Sequence, residues 1–418
     1  MAASSAAWRR LRACPDCDRL VALPPLRPGE RAECPRCACI LVRRSRLAVQ
    51  QSLAYAIAAL TTLLLALVLP FVGFEFRGVA QAMVLTDTGS ALVRFGAPAV
   101  GAVVLLGVVL LPLAYLVLFT VLHSRLLAGR QQAIDRFFAR GVAMLEPWMM
   151  ADVFLVGALV SLTKVAGMAT VEFGPAFWAY GAFVVLLVKT RTALDKDWLW
   201  YCLAGEPRID RPVRVGADAR PQGLTGCHGC ALVNVVDDGG TGRCQRCGER
   251  LHASTPLSIQ HTLALLIVAV VLYIPANALP ITYTTRFGAE TASTIIGGVI
   301  GFVRSGDIPI AVIIFTASVV VPIAKMLALA WLCWYAVRGA PRAGRTGTRL
   351  HRVVDFIGRW SMVDVFVVAV LVALIQADSV MSIAPGPAAL AFAGMVIVSM
   401  MAAMTFDTRL LWQHTDSG

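Results

Sequence analysis

Apolar residues run along this chain in eight long blocks separated by polar stretches. The blocks fall at 51–72, 98–122, 149–170 and 175–193, and again at 258–280, 309–335, 361–382 and 387–405. Each is long enough to cross a hydrocarbon core of about 30 Å as a helix rising about 1.5 Å per residue. The pattern predicts a mainly α, polytopic membrane protein. The two sets of four blocks also correspond residue by residue. PWMMADVF, ending at Phe154, returns as RWSMVDVF, ending at Phe366, so that Trp148 pairs with Trp360 and Asp152 with Asp364, 212 positions later. Gly174-Pro175 reappears as Gly386-Pro387, and Asp195 and Trp200 as Asp407 and Trp412, at the same offset. The expectation is two tandem repeats of a four-helix transmembrane module, an organisation that many transporters assemble around a shared interface.

The polar stretches orient the blocks. Segment 123–147 carries Arg125, Arg130, Arg136 and Arg140, and 336–360 carries six arginines from Arg338 to Arg359. The alternate loop 73–97 has only Arg77 and Arg94, and 281–308 only Arg286 and Arg304. Basic residues collect on the cytoplasmic side of membrane proteins. Both termini and both polar head segments are therefore expected in the cytoplasm, with eight spans between. The N-terminus is polar and Arg-rich up to Arg46, which reads as no secretory signal peptide. The net charge of +12 follows this insertion bias and does not imply nucleic acid. The stretch 349–360 mixes basic and apolar residues and reads as an interfacial helix. Loops 73–97 and 281–308 are apolar for loops. They read either as re-entrant or interfacial caps or as a docking surface for a partner outside the cytoplasm.

Eight of the eleven cysteines stand in C-x-x-C pairs ahead of the two sets of blocks: Cys14/Cys17 with Cys34/Cys37, and Cys227/Cys230 with Cys244/Cys247. Four thiolates from two such turns make a tetrahedral site for Zn²⁺, and a reducing compartment favours metal over disulfides. Each repeat is thus expected to be preceded by a small cytoplasmic zinc ribbon with four cysteine ligands. The division is ribbon 1 at 1–48, membrane module 1 at 49–200, linker and ribbon 2 at 201–255, and membrane module 2 at 256–418. Structural zinc in both ribbons is the favoured reading. A rubredoxin-like iron centre or a thiol–disulfide couple would use the same sulfurs. Gly248 gives the last knuckle the backbone freedom it needs. His228 and Cys39 could stand in for a ligand but read as bystanders, and Cys202 and Cys333 are left over.

Ionisable groups inside spans are costly and become functional candidates. Lys325 lies near the middle of its block, and Asp364 about one turn inside the interface marked by Arg359 and Trp360. A Lys325–Asp364 pair would lower the desolvation penalty of both. It would either fix helix packing or line a polar cavity, which Ser399 could join. In the first half Asp152 matches Asp364, Tyr115 stands in place of Lys325, and Lys164 stands in place of Gln376. The polar patch is therefore expected mainly in the second half. Pro112 and Pro322 recur in matching spans and permit kinks.

The paired cysteine heads, the four-span blocks and the W-x-M-x-D-V-F element at Trp148–Phe154 and Trp360–Phe366 resemble the paraquat-inducible protein A family of Gram-negative inner membranes. The resemblance covers almost the whole chain. It implies a non-enzymatic part in moving lipids between the inner and outer membranes, beside a periplasmic partner with mammalian-cell-entry (MCE) domains. The chain has no G-x-x-x-x-G-K-[ST] element, so it carries no Walker-type ATPase site of its own. A non-transporting scaffold for the partner and a membrane thiol or electron-transfer protein are the rival readings.

Overall fold

The computed structural model describes residues 10–412, apart from 47–48, 77–78, 131, 167–169, 208, 210, 238, 253–256, 287–288, 305, 307, 339–343 and 378–380. The outer ends of the third and seventh expected spans, at 167–169 and 378–380, lie outside the described residues, as does the side chain of Lys164. Among the described residues seven helices are long and apolar enough to cross a membrane: Val49–Val68, Pro98–Leu127, Ala133–Thr163, Ser258–Ala278, Ala311–Arg338, Gly344–Leu374 and Pro387–Thr405. The pair Pro175–Ala193 and Lys196–Ala204, bent by 58°, raises the number to as many as eight. The protein is a multi-pass membrane protein.

The first helix of each half buries mostly small residues, with one leucine, along one face. In Val49–Val68 these are Ser52, Ala56, Ala59, Leu63 and Ala66. In Ser258–Ala278 they are Ser258, Thr262, Leu266, Ala269 and Ala276. Small side chains let helix backbones approach closely inside a bilayer. The partners of these faces are Pro175–Ala193 and Pro387–Thr405. The opposite face of Ser258–Ala278 exposes Ile267, Val271 and Ile274, as a surface solvated by lipid should.

Two features depart from a purely helical expectation. The loop after the first helix of each half is a β-hairpin, Val72–Phe76 with Val79–Met83 and Thr282–Arg286 with Ala289–Ser293. Each hairpin takes on a further strand, Thr170–Phe173 or Met381–Pro385, from the chain after the third long apolar block. The loops are thus small antiparallel sheets, each followed by a helix (Asp87–Arg94 and Ile295–Arg304). Each span with the recurrent proline also contains a π-helical turn, Leu106–Leu110 or Thr316–Val320, just before that proline. Pro112 and Pro322 lack the N–H that would bond the carbonyl four residues back, and the ladder re-registers over that point.

The recurrent Gly-Pro pairs have a steric cause. A Cβ on Gly174 would run into the carbonyl oxygen of Pro70, and one on Gly386 into that of Pro280. The close approach lets Gly386 N–H donate to Ile281 O at 2.8 Å and Ala388 N–H to Pro280 O at 3.2 Å. Gly386→Ala is expected to destabilise the fold by about 1–3 kcal/mol, the usual penalty for overpacking. Gly298→Ala, which meets no atom within 4 Å, serves as the control. Thermal melts in detergent check this, and equal midpoints for both variants would refute it.

The halves meet at the repeated D-V-F element. Phe154 and Phe366 touch edge to face, with ring centroids 5.5 Å apart. Gly157 lies against Phe366 and Val363, and Ser161 Oγ donates to Val367 O at 3.2 Å. Corresponding phenylalanines are thus in contact with each other where the two halves join.

Candidate functional site

Each cysteine pair sits in a knuckle whose backbone holds it. In all four knuckles the N–H after the second cysteine donates to the carbonyl of the first: Asp18 to Cys14 at 2.9 Å, Ala38 to Cys34 at 2.8 Å, Ala231 to Cys227 at 2.9 Å and Gly248 to Cys244 at 2.8 Å. These four donors all have positive φ, between 57° and 76°. Three are not glycine and adopt that region at about 1–2 kcal/mol each. The knuckles thus hold strained turns, and each turn aims two sulfurs at one point.

In each ribbon four buried sulfurs lie within 4.8 Å of one another. Cys14 and Cys37 are 3.4 Å apart, Cys17 and Cys34 3.5 Å, and Cys227–Cys247 and Cys230–Cys244 both 3.4 Å. Tetrahedral coordination at about 2.3 Å per bond separates sulfurs by about 3.8 Å, so a small adjustment fits a metal ion in both. Hydrogen bonds among the four sulfurs lower the pKa of the Cys34 thiol and raise that of Cys17 in the first set, and lower Cys244 and raise Cys227 in the second. His228 and Cys39 stand outside the two sets. Burial lowers the His228 pKa and favours its neutral form.

The ribbons pack crosswise. Ribbon 2 rests on the first half: Trp200 Nε1–H donates to Gly229 O at 3.2 Å, and Leu122, Ala139 and Leu199 pack with its cysteines. Ribbon 1 rests on the second half. Arg352 pairs with Asp16 at 2.6 Å and donates to Cys37 O at 3.2 Å. Arg345 donates to Arg36 O at 2.8 Å, and the Arg36 guanidinium lies 4.6 Å over the Trp412 ring. Trp200 and Trp412, paired by the sequence repeat, are therefore the platforms for opposite ribbons. Asp195 and Asp407 also match in role: each accepts a backbone N–H just downstream, from Trp198 at 2.9 Å and from Arg409 at 3.0 Å. The buried guanidiniums of Arg12 and Arg246 join the two ribbons through Asp197 and Glu206.

Inside the second half, Lys325 lies on the helix Val321–Arg338 and is only 3% exposed. Its ammonium donates to Ser399 Oγ at 3.1 Å. A Cβ on Gly358 would lie 3.0 Å from Lys325 Nζ, so the glycine makes room for the ammonium. Asp355 lies on that same helix Gly344–Trp360. Asp364 is half-buried in the first turn of Val363–Leu374 and accepts from Ser318 Oγ. The anticipated Lys325–Asp364 ion pair does not form. The reason is geometric: each charge turns to a serine of its own, Ser399 for the ammonium and Ser318 for the carboxylate. Asp152 is half-buried in the first turn of Ala151–Ala166.

Ser318 was not singled out by sequence. It lies in the π-helical turn Thr316–Val320, and its signal was Pro322 four residues on. The first half has Val108, Tyr115 and Leu187 at the places of Ser318, Lys325 and Ser399. All three are buried and none is ionised at neutral pH.

A family model described as Paraquat-inducible protein A matches residues 49–203 and 259–416. The chain is 39% identical, over 96% of its length and 95% of the relative's, to a protein named Intermembrane transport protein PqiA from Escherichia coli (strain K12). It is 30% identical to Lipophilic envelope-spanning tunnel protein A from the same strain, over 97% of this chain and 92% of that one. It is 27% identical to a Probable intermembrane transport protein from Haemophilus influenzae (strain ATCC 51907 / DSM 11121 / KW20 / Rd), over 96% of each. No solved structure matches.

Proposed function

The chain belongs to the paraquat-inducible protein A family, and from that premise we propose that it is the inner-membrane component of an intermembrane lipid-transport system. The relatives are named as transport proteins, and this chain is a transport component and not an enzyme. It loads or extracts lipids and hands them to, or receives them from, a periplasmic partner with MCE domains. Two four-span modules, 49–200 and 256–418, carry the membrane part. The ribbons, 1–48 and 201–255, are cytoplasmic and hold one structural Zn²⁺ each. When bound, the metal locks each ribbon fold. The ribbon residues then fix the helices they rest on.

One observation carries the reading: a lysine buried in the membrane part and held by a serine, in one half only. Burying an ammonium there is expensive, and the first half builds the matching helices without one. Lys325, Ser399, Ser318 and Asp364 therefore line the lipid route or couple it to protons. Asp152 keeps the corresponding place in the first half and serves packing there.

Complementation of a detergent-sensitive deletion strain tests the proposal, scored beside pull-down of an MCE-domain protein by the tagged chain. Restored resistance with partner capture is expected. A chain that restores resistance yet captures no MCE-domain protein would exclude the partner. Cysteines introduced at 130 and 345 should resist an impermeant maleimide in intact cells, and labelling there would reverse the orientation.

A further inference from the structure

Outside the membrane helices, a cavity of about 880 Å³ opens between ribbon 1, the segment 211–222 and the turn that follows the last helix. Its size falls within the range of about 300–1,000 Å³ typical of small-ligand sites. Four guanidiniums border it, from Arg211, Arg214, Arg220 and Arg409, against two carboxylates, Asp18 and Asp218. The arginines of the lining thus outnumber its carboxylates by two, with Cys17 of the first metal set also at the wall. Trp412 forms an aromatic wall and is stacked from behind by Arg36, which also pairs with Asp218 at 2.8 Å.

The arginines stand on a braced frame. The Gln222 side chain accepts from Arg214 N–H at 2.7 Å and donates to Arg214 O at 3.1 Å and to Asp218 O at 2.9 Å. Arg211 donates to Gly223 O at 2.7 Å, which fixes its fork at the rim. Arg409 is held by Asp407 at 2.8 Å. The segment is stitched to ribbon 1 by Leu20 N–H to Ala217 O at 2.9 Å and by Arg220 N–H to the Asp18 carboxylate at 2.8 Å. Three chain segments distant in sequence therefore converge on one lined space, with little conformational freedom left to lose on binding.

We propose that this cavity binds a phosphate-bearing ligand of about two negative charges. Guanidinium forks match the oxygens of phosphate and form charge-assisted hydrogen bonds with them. The excess of two arginines over carboxylates suits a dianion better than a single carboxylate. The ligand chemistry is that of a pyrophosphate or phosphomonoester, free in the cytoplasm or carried as an anionic lipid headgroup. Bound there, it ties ribbon 1, the linker and the end of the second half together, and so reports on ribbon docking. The site is separate from the Lys325 cluster and stands whether or not that cluster moves lipid.

The test uses the full metal-loaded chain in nanodiscs of phosphatidylcholine, titrated with inorganic pyrophosphate by calorimetry. Saturable binding that weakens with added salt is expected. Arg214→Gln should weaken it about tenfold or more, the loss of one charge-assisted hydrogen bond. Arg214 is exposed and its hydrogen bonds to Gln222 are made by its backbone, so this variant keeps the fold. Arg243→Gln, on the exposed edge of ribbon 2, should change nothing. A second arm adds phosphatidic acid, a lipid phosphomonoester, to the nanodiscs. Abolished pyrophosphate binding there identifies the lipid headgroup as the source, and unchanged binding identifies a free phosphate compound. The proposal is overturned by pyrophosphate binding that Arg214→Gln leaves intact. It is equally overturned if neither pyrophosphate nor phosphatidic acid binds in a manner that depends on Arg214.

Discussion

Lys325→Met is expected to leave a folded, membrane-inserted chain that returns the complemented strain to the full detergent sensitivity of the deletion. Methionine nearly matches the length of lysine without its charge. The protein then no longer buries an ammonium whose observed hydrogen bond is a single one, to Ser399. Removing an expensive buried charge together with its need for a partner is often neutral or stabilising. The first half supports this directly, since Tyr115 fills the corresponding place and is fully buried. The fold does not need a cation there. Thermal stability should therefore stay level or rise while function disappears. Asp364→Asn should behave in the same way, because asparagine keeps an oxygen for Ser318 and loses only the charge. Expression, partner pull-down and detergent resistance are measured together. A well-expressed Lys325→Met chain that complements fully would remove the lysine from the mechanism and leave a scaffold as the better reading.

The parts of this protein that sequence revealed are those whose physics is local. The helix Pro387–Thr405 follows the apolar block 387–405 to the residue, and Pro175–Ala193 follows 175–193, because Gly-Pro starts both. Blocks without such a stop ran long. The first was expected to reach residue 72, but the helix ends at Val68 and the chain enters a strand at Val72. The strands were hidden because each is only about four or five residues long, too short for a period to set it apart, and Thr282–Arg286 and Ala289–Ser293 are largely polar. Cysteine spacing located both metal sets, since each knuckle closes within a few residues. The serine partners were only half legible. Ser399 was noticed as a mid-span hydroxyl, whereas Ser318 became visible only through the π-helical turn that brings it to Asp364. The charge pairing failed because opposite charges on two spans of one half meet only when the helix rotations turn them toward each other. Crosswise docking of the ribbons was beyond reach for the same reason: Arg352 and Asp16 are joined across nearly the whole chain.

Crosswise docking gives the metal an effect larger than the ribbon that holds it. The purified chain is expected to carry about two zinc ions by elemental analysis, and Cys14→Ser about one. Ribbon folding is coupled to metal binding, worth about 10–16 kcal/mol in small zinc-finger peptides. The strained positive-φ residues Asp18 and Ala38 are not held without it. Loss of the first metal should thus unfold ribbon 1 and expose it to protease. It should also free Arg352 from Asp16 and from the Cys37 carbonyl, and Trp412 from Arg36. Those contacts anchor the helix Gly344–Trp360, whose Gly358 makes room for the Lys325 ammonium. Cys14→Ser should therefore impair complementation even though no cysteine of the ribbon touches the membrane cluster. Cys227→Ser should remove the other metal and loosen the first half at Trp200, where no buried lysine waits, and impair function less. Metal content, limited proteolysis and detergent resistance, measured on both variants, decide the matter. Equal functional loss in the two would show that the ribbons act only on overall folding, and stoichiometric iron with visible absorbance would replace zinc by a redox centre.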